Sequence, residues 1–218
     1  MSPGDLPRLY AIADLAYAGS QAEFLRCIAA LAEAARLHPS QLAIQVRARQ
    51  ASAPALVALA RTSREAVGKE ALLMLNGPEA LAAEFGYDGI HWPEALIPGA
   101  PAESHNFAIR TAAAHSIEAV RRAHRAGATA VVYGPVFAPT WKHAEPVGLA
   151  ALRHCAEASP LPVYALGGIG PDQVSECLAA GAHGIAVLSG IAGAADPVAS
   201  TTRYLAAVLP ERHSTSDQ

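Results

Sequence analysis

The sequence has little that would suit a secreted or membrane-bound protein. Its 218 residues include only three cysteines, which are far apart and form no CxxC pair, so neither a disulfide framework nor a cysteine metal site is expected. No apolar run reaches the ~18–20 residues that span a bilayer, and the N-terminus lacks the features of a signal peptide. We therefore expect a soluble cytoplasmic protein with no membrane partner.

An excess of positive charge is also missing, because the formal net charge is −3. A nucleic-acid-binding domain normally carries a basic patch or stripe, so we expect no nucleic-acid partner. Apolar residues make up 52% of the chain, which is enough to build a large core rather than a disordered chain. No linker or shift in composition divides the sequence, and we expect one domain over residues 1–210 with a disordered tail at 211–218.

Strand-like and helix-like segments alternate along the chain. Because the strand-like runs are mostly apolar on both faces, the pattern predicts a parallel sheet covered by helices. Eight such units favour an α/β fold closed as a single-domain TIM (β/α)8 barrel, with an open doubly wound sheet as the alternative. The predicted strands cover residues 9–13, 42–47, 71–75, 89–92, 107–112, 130–133, 163–169 and 184–191, and the predicted helices cover 21–37, 54–67, 78–85, 116–126, 147–158, 171–180 and 196–209.

The last two predicted strands end in glycine where a helix should begin. The turns are Gly167-Gly168 and Leu188-Ser189-Gly190. Glycine allows backbone amides to approach an anion closely, and the loops after strands 7 and 8 of a β/α barrel recurrently bind phosphate. Tight packing of the helices without a ligand is the alternative. The two turns together predict a phosphorylated small-molecule ligand.

Polar side chains follow other predicted strands, and strand ends are where a β/α barrel carries its functional groups. Gln45, Arg47 and Arg49 alternate along strand 2 and so share one side of it. Arginine suits phosphate or carboxylate, although solvated arginines at a strand end are the alternative. Two further binding candidates are Asn76 after strand 3, otherwise a turn residue, and Lys142 in the loop after strand 6, otherwise a solvated lysine.

His115 is the candidate acid or base, because it follows strand 5 and imidazole exchanges protons near neutral pH. A structural or merely exposed histidine is the alternative, and His91 at the end of strand 4 is a secondary candidate. Carboxylates that suit magnesium are scarce at the strand ends. Asp14 follows strand 1 and Asp88 opens strand 4, but no acid follows strands 2, 3, 5, 7 or 8. We therefore predict no metal site.

Short segments at the strand ends have the order and spacing of a known family. They are Gln45-Val46-Arg47, Leu75-Asn76, Asp88-Gly89-Ile90-His91, Ala114-His115-Ser116, Gly134-Pro135-Val136-Phe137, Ala165-Leu166-Gly167-Gly168-Ile169 and Ala186-Val187-Leu188-Ser189. With these segments the chain resembles the thiamine phosphate synthase / TenI superfamily over about residues 8–208. The resemblance implies a TIM barrel that works on a thiazole phosphate in thiamine biosynthesis.

The resemblance is closer to the TenI branch than to the synthase branch. The synthase pattern has one magnesium-binding aspartate where this chain has Gly77 and a second near Leu96. The TenI pattern has Asn-Gly after strand 3 and a proline soon after strand 4, here Asn76-Gly77 and Trp92-Pro93. TenI-like members resemble thiazole tautomerases, which aromatise a carboxythiazole phosphate by proton transfer without a metal. His115 then corresponds to the expected acid/base, and the resemblance implies no cofactor.

Two other functions stay open from the sequence. One is a divergent thiamine phosphate synthase, which joins a pyrimidine pyrophosphate to thiazole phosphate and would require magnesium. The other is a non-catalytic protein that binds thiazole or thiamine phosphate and has a regulatory role. In all three cases the expected partner is a small phosphorylated ligand, and a homo-oligomer is compatible with each.

Overall fold

The computed structural model describes residues 6–100, 107–141 and 143–209. Within them eight parallel strands close into one barrel in the order β1-β2-β3-β4-β5-β6-β7-β8, and Leu9 of β1 is in register with both Leu42 of β2 and Ile185 of β8. The predicted TIM barrel is thus confirmed and the open sheet is excluded. The strands are β1 Leu9–Asp14, β2 Leu42–Arg47, β3 Leu72–Asn76, β4 Gly89–Trp92, β5 Ile109–Ala114, β6 Ala130–Tyr133, β7 Val163–Leu166 and β8 Gly184–Val187.

The helices lie outside the barrel and follow the sequence pattern closely. In the second helix the apolar stripe of Phe24, Ile28, Leu31 and Ala35 is buried, and the Ser20 hydroxyl caps the helix by accepting from the Glu23 amide at 3.2 Å. The described helices are α1 Leu15–Ala18, α2 Gln21–Leu37, α3 Ala53–Val67, α4 Glu79–Glu84, α5 Ile117–Arg125, α6 Gly148–Ala158, α7 Val174–Ala179, α8 Ser189–Ala192 and α9 Pro197–Val208, with 3-10 turns at Glu94–Leu96 and Pro171–Gln173.

Several boundaries differ from the sequence pattern, including those at the mouth of the barrel. β7 ends at Leu166 rather than at 169, and β8 ends at Val187 rather than at 191, because the chain leaves the sheet there and α8 begins at Ser189. β5 continues to Ala114, so His115 follows the strand directly. The four-residue helices α1 and α8 were not predicted, because such short helices carry no readable apolar periodicity. The predicted tail at 211–218 lies outside the described residues, and so does Lys142.

The barrel interior is packed with side chains and is not a pore. Tyr10 and Tyr164 fill its centre with their ring centroids 5.4 Å apart, and both residues are almost completely buried. A second and larger apolar cluster lies between the strands and the helices. No helix in the described part of the chain is long and apolar enough to cross a membrane. A cavity lies at the carboxyl ends of the strands.

Candidate functional site

A cavity of about 600 Å³ opens where the strands end, within the range typical of small-molecule sites. The structure brings all the predicted site residues to this cavity except Lys142, which lies outside the described residues. The predicted residues that line it are Gln45, Arg47, Arg49, Asn76, His115, Gly167, Gly168, Leu188, Ser189 and Gly190.

The turn after β7 has a backbone that only glycine adopts easily. Gly167 has φ +103° and Gly168 has φ +61°, both in the left-handed region. A Cβ at Gly167 would lie 2.5 Å from Cβ of Pro135, and one at Gly168 would lie 2.6 Å from the carbonyl oxygen of Ala138. The turn is therefore locked against the loop that follows β6, and both glycines line the cavity as backbone rather than as side chains.

The turn after β8 lies beside it and lines the same cavity. Ser189 and Gly190 open α8, and the first amides of a helix have no acceptor within that helix. A Cβ at Gly190 would lie 2.2 Å from the hydroxyl of Tyr204 on α9. Close packing thus accounts for glycine in both turns, and the backbone of both turns is available to an anion in the cavity.

Arginine and carboxylate side chains meet on the other side of the mouth. Arg47 at the end of β2 forms an ion pair with Asp14, whose side chain is almost fully buried at the end of β1. Burial and the neighbouring charge of Arg49 lower the pKa of Arg47. Asp14 balances the charge of Arg47. Arg49 is exposed and lines the cavity, and no acidic side chain in the described ranges forms an ion pair with it.

His115 is held by hydrogen bonds at its backbone and at its ring. Its Nδ1 lies 2.6 Å from the carbonyl oxygen of Gly134 at the end of β6, so Nδ1 carries a proton and donates. The neutral ring then has its lone pair on Nε2, the nitrogen required of a general base. The backbone amide of His115 donates to Oε2 of Glu94 at 2.8 Å, and Ser116 caps α5 through the Ala119 amide at 3.1 Å.

A buried polar network forms the floor of the cavity. Tyr10 donates from its hydroxyl to Oε1 of Gln45 at 3.1 Å, and the same hydroxyl is 3.0 Å from Oγ1 of Thr111. Nδ1 of His91 lies 2.9 Å from that threonine oxygen. Burial, with a smaller contribution from the charge of Arg47, lowers the pKa of His91 to about 3. His91 is therefore neutral at physiological pH, which separates it from the exposed His115 as an acid or base.

Among the described residues that line the cavity, Glu94 supplies the only carboxylate. In the described ranges no three His, Cys, Asp or Glu side chains come together in a way that would hold a metal ion. Leu96 is 65% exposed, and the synthase pattern has an aspartate near this position. Gly77 stands where that pattern has its other aspartate. The carboxylate of Glu94 does line the cavity, but it accepts from the His115 amide and lies 3.7 Å from Arg122.

Sequence reasoning gave no site role to several residues that line the cavity, among them Glu94, Tyr204 and Trp141. Glu94 lies on a 3-10 turn rather than at a strand end, and Tyr204 is on the last helix, more than thirty residues beyond the turn it contacts. Trp141 in the loop after β6 packs edge-on against Tyr17 of α1, with ring centroids 5.5 Å apart. A proline next to a glutamate after β4 was the available signal for Glu94, whereas the contacts of Tyr204 and Trp141 depend on barrel closure.

Comparison with known proteins gives concordant matches. The family model described as thiamine monophosphate synthase matches residues 9–191. A putative thiamine-phosphate synthase 2 from Aquifex aeolicus is 34% identical over 190 residues, which are 85% of this chain and 97% of that protein. A thiamine biosynthesis bifunctional protein from Symbiobacterium thermophilum is 36% identical over 167 residues, which are 74% of this chain but only 35% of that protein.

A solved structure agrees with these sequence matches. The structure of thiamine phosphate pyrophosphorylase from Pyrococcus furiosus superimposes with a TM-score of 0.75 at 26% identity, covering 94% of this chain and 96% of that one. The match extends over almost the whole barrel.

Proposed function

Since the chain belongs to the thiamine monophosphate synthase family of thiamine biosynthesis, we propose that its barrel is a metal-independent thiazole tautomerase. The observation that carries this proposal is the state of His115. Its Nδ1 proton is committed to Gly134, its Nε2 lone pair is left for chemistry, and the ring lines the cavity that also contains both glycine turns.

The proposed reaction moves a proton within one substrate, the non-aromatic tautomer of a carboxythiazole phosphate, whose double bond lies outside the ring. Nε2 of His115 takes a proton as a C–H bond breaks, the double bond shifts into the ring, and a proton returns to a second carbon. No atom is gained or lost, and no oxidant or metal is needed for the balance. Throughout the transfer the Nδ1 proton stays hydrogen-bonded to the Gly134 carbonyl.

Ligand orientation follows from the two halves of the mouth. The phosphate binds the turns at Gly168 and Gly190, where backbone amides supply the hydrogen bonds. The carboxylate and ring then lie towards Arg49, Asn76 and Gln45, whose polar groups line the opposite wall. This places the ring between the phosphate turns and the floor, in the cavity lined by His115.

Replacing His115 tests the proposal directly. We expect His115→Asn to lower kcat for isomerisation by roughly 10²–10⁴-fold, the usual contribution of a general acid/base, with KM within a few-fold. The formation of the aromatic ring is followed by ultraviolet absorbance. His124→Asn, an exposed histidine on α5, is the matched control and should keep the native rate. Native turnover by the His115 variant would reject the assignment.

A second function is favoured by the printed names of the relatives, which are synthases. In that case the cavity joins a pyrimidine pyrophosphate to thiazole phosphate, with magnesium ligands that differ from the pattern of the family. The test is release of pyrophosphate when both substrates and magnesium are supplied. The carboxylates available to bind magnesium argue against this reaction. Glu94 already accepts a hydrogen bond from the His115 amide and lies close to Arg122.

A further inference from the structure

A single side chain of the last helix touches both glycine turns. Tyr204 of α9 is 2% exposed, and its hydroxyl donates to the carbonyl oxygen of Ile169 at 2.9 Å, in the turn after β7. The same hydroxyl occupies the space where a Cβ of Gly190 would lie, in the turn after β8. The two turns come from separate β/α units, and Tyr204 contacts them both.

A second hydroxyl on α9 supports the same arrangement. Ser200, one helical turn before Tyr204, donates from Oγ to the carbonyl oxygen of Gly190 at 2.7 Å. One carbonyl group from each turn is therefore held by α9, whose own start is capped by Asp196 through the Ala199 amide at 2.9 Å. Burial raises the pKa of Tyr204, so its hydroxyl keeps its proton and remains a donor.

We propose that Tyr204 is a positioning residue that sets the spacing of the two turns, so that amides from both meet the same phosphate group. This inference rests on the proposed function only in placing the phosphate of the ligand between those turns. A backbone anion site cannot correct a wrong distance by changing a rotamer, as arginine or lysine can. Its affinity therefore depends on a support that fixes the turns before the ligand arrives.

The test compares two ligands that differ only in the phosphate group. Binding of the thiazole phosphate and of the corresponding unphosphorylated thiazole alcohol is measured by calorimetry for the native protein and for Tyr204→Phe, which removes only the hydroxyl. We expect the variant to bind the phosphate ligand about threefold to tenfold more weakly, the effect of one net hydrogen bond. Its affinity for the alcohol should stay unchanged, so the preference for phosphate falls by the same factor.

Tyr87→Phe is the matched control, because the Tyr87 hydroxyl also donates to a buried carbonyl, that of Ala60 at 2.9 Å, away from the cavity. It should leave the preference for phosphate unchanged. If Tyr204→Phe fails to fold, Ser200→Ala replaces it and should reduce the same preference. An equal loss for both ligands, or no loss, would overturn the positioning role.

The outcomes also separate this inference from the proposed function. Binding of the phosphate ligand that depends on Tyr204, without isomerisation, would reject the tautomerase and keep the positioning role. Isomerisation with no effect of the Tyr204 hydroxyl on the preference for phosphate would do the reverse. A native protein that binds neither ligand would overturn both.

Discussion

The two halves of the barrel mouth are built from different parts of the chain. The half formed by β7 and β8 presents backbone, fixed by glycines at positive φ or in contact with neighbouring groups. The half formed by β2 to β5 presents side chains, with Arg47 paired to Asp14 and the His115 amide bonded to Glu94. One half is fixed by the path of the main chain, and the other by pairs of polar groups.

The two halves therefore differ in how easily their residues can be substituted without disturbing the fold. A substitution in a glycine turn forces a Cβ into backbone or a buried side chain, so the phosphate half is tied to the fold itself. At Gly77 and Leu96, by contrast, the residues are exposed. A side chain at Leu96 can therefore change with little effect on the barrel, whereas a Cβ at Gly77 would lie 3.3 Å from Cγ of Leu75, which would have to move slightly.

The largest effect should come from breaking the backbone half. Gly168→Ala adds a Cβ that would lie 2.6 Å from the Ala138 carbonyl oxygen at φ +61°, so the turn must shift. We expect the affinity for the phosphate ligand to fall about 100-fold, as when one or two hydrogen bonds to a charged group are lost. Calorimetric binding measures this loss.

Gly127→Ala is its matched control. Gly127 has φ +86°, but nothing lies within 4 Å of an added Cβ. The free energy of unfolding of the control should be lower by roughly 1–2 kcal/mol, because alanine is strained in the left-handed conformation. Its affinity for the ligand should be native. An equal loss of affinity in both variants would show that the turn at Gly168 has no special role.

A smaller effect should come from breaking the side-chain half at Glu94. Glu94→Ala removes the acceptor of the His115 amide, so we expect kcat to fall about tenfold, because the acid/base group is misplaced. KM should change little. Glu94→Gln keeps an oxygen acceptor and should retain kcat within about twofold.

This pair of Glu94 variants separates geometry from charge. If the glutamine variant loses as much activity as the alanine variant, the negative charge matters rather than the hydrogen bond to the His115 amide. In that case the pH profile of kcat should shift in both variants. Steady-state kinetics over pH 5–9 would distinguish the two explanations.

The smallest effect concerns the floor between the two halves. The pKa of His91 is lowered to about 3, below the ordinary value of about 6.5. Between these two pH values His91 is protonated in the unfolded state and neutral in the folded state. This contribution to stability is complete above pH 6.5 and is lost progressively as the pH falls towards 3. Below pH 5.5 the free energy of unfolding should fall with a slope approaching 1.4 kcal/mol per pH unit, that is about one proton.

Chemical denaturation of native protein and His91→Gln at pH 5.5 and 4.5 checks this. The native protein should lose more stability than the variant over that interval, since carboxylates titrate in both and cancel in the difference. The same pH dependence in both proteins would mean that His91 becomes protonated in the folded state as readily as in the unfolded state.

Much of this arrangement was predictable from the sequence, because the strand ends of a β/α barrel are readable. The apolar runs located all eight strands, and the residues just after them, such as Arg47, Asn76 and His115, line the cavity. The glycine turns were predictable for the same reason. The position of each of these residues follows from the strand that precedes it, without knowledge of distant contacts.

The other features of the site depend on contacts between residues that are far apart in the sequence, and no local pattern predicts such contacts. Tyr204 meets Ile169 across 35 positions, and the hydroxyl of Tyr10 meets that of Thr111 across 101 positions. The pairing of Arg47 with Asp14 also depends on β1 lying beside β2, which changed its expected role from a free anion-binding arginine to a compensated one. Closure of the barrel creates these contacts, and the spacing of residues does not reveal them.

Metal-independent proton transfer is tested by isomerisation of the non-aromatic tautomer of a carboxythiazole phosphate in the presence of EDTA. Aromatic product is followed by absorbance for the native protein, with and without added magnesium. We expect the same rate in both conditions, since His115 and the polypeptide supply all the groups that act on the proton. No isomerisation in either condition, together with magnesium-dependent release of pyrophosphate when a pyrimidine pyrophosphate is also present, would contradict this expectation.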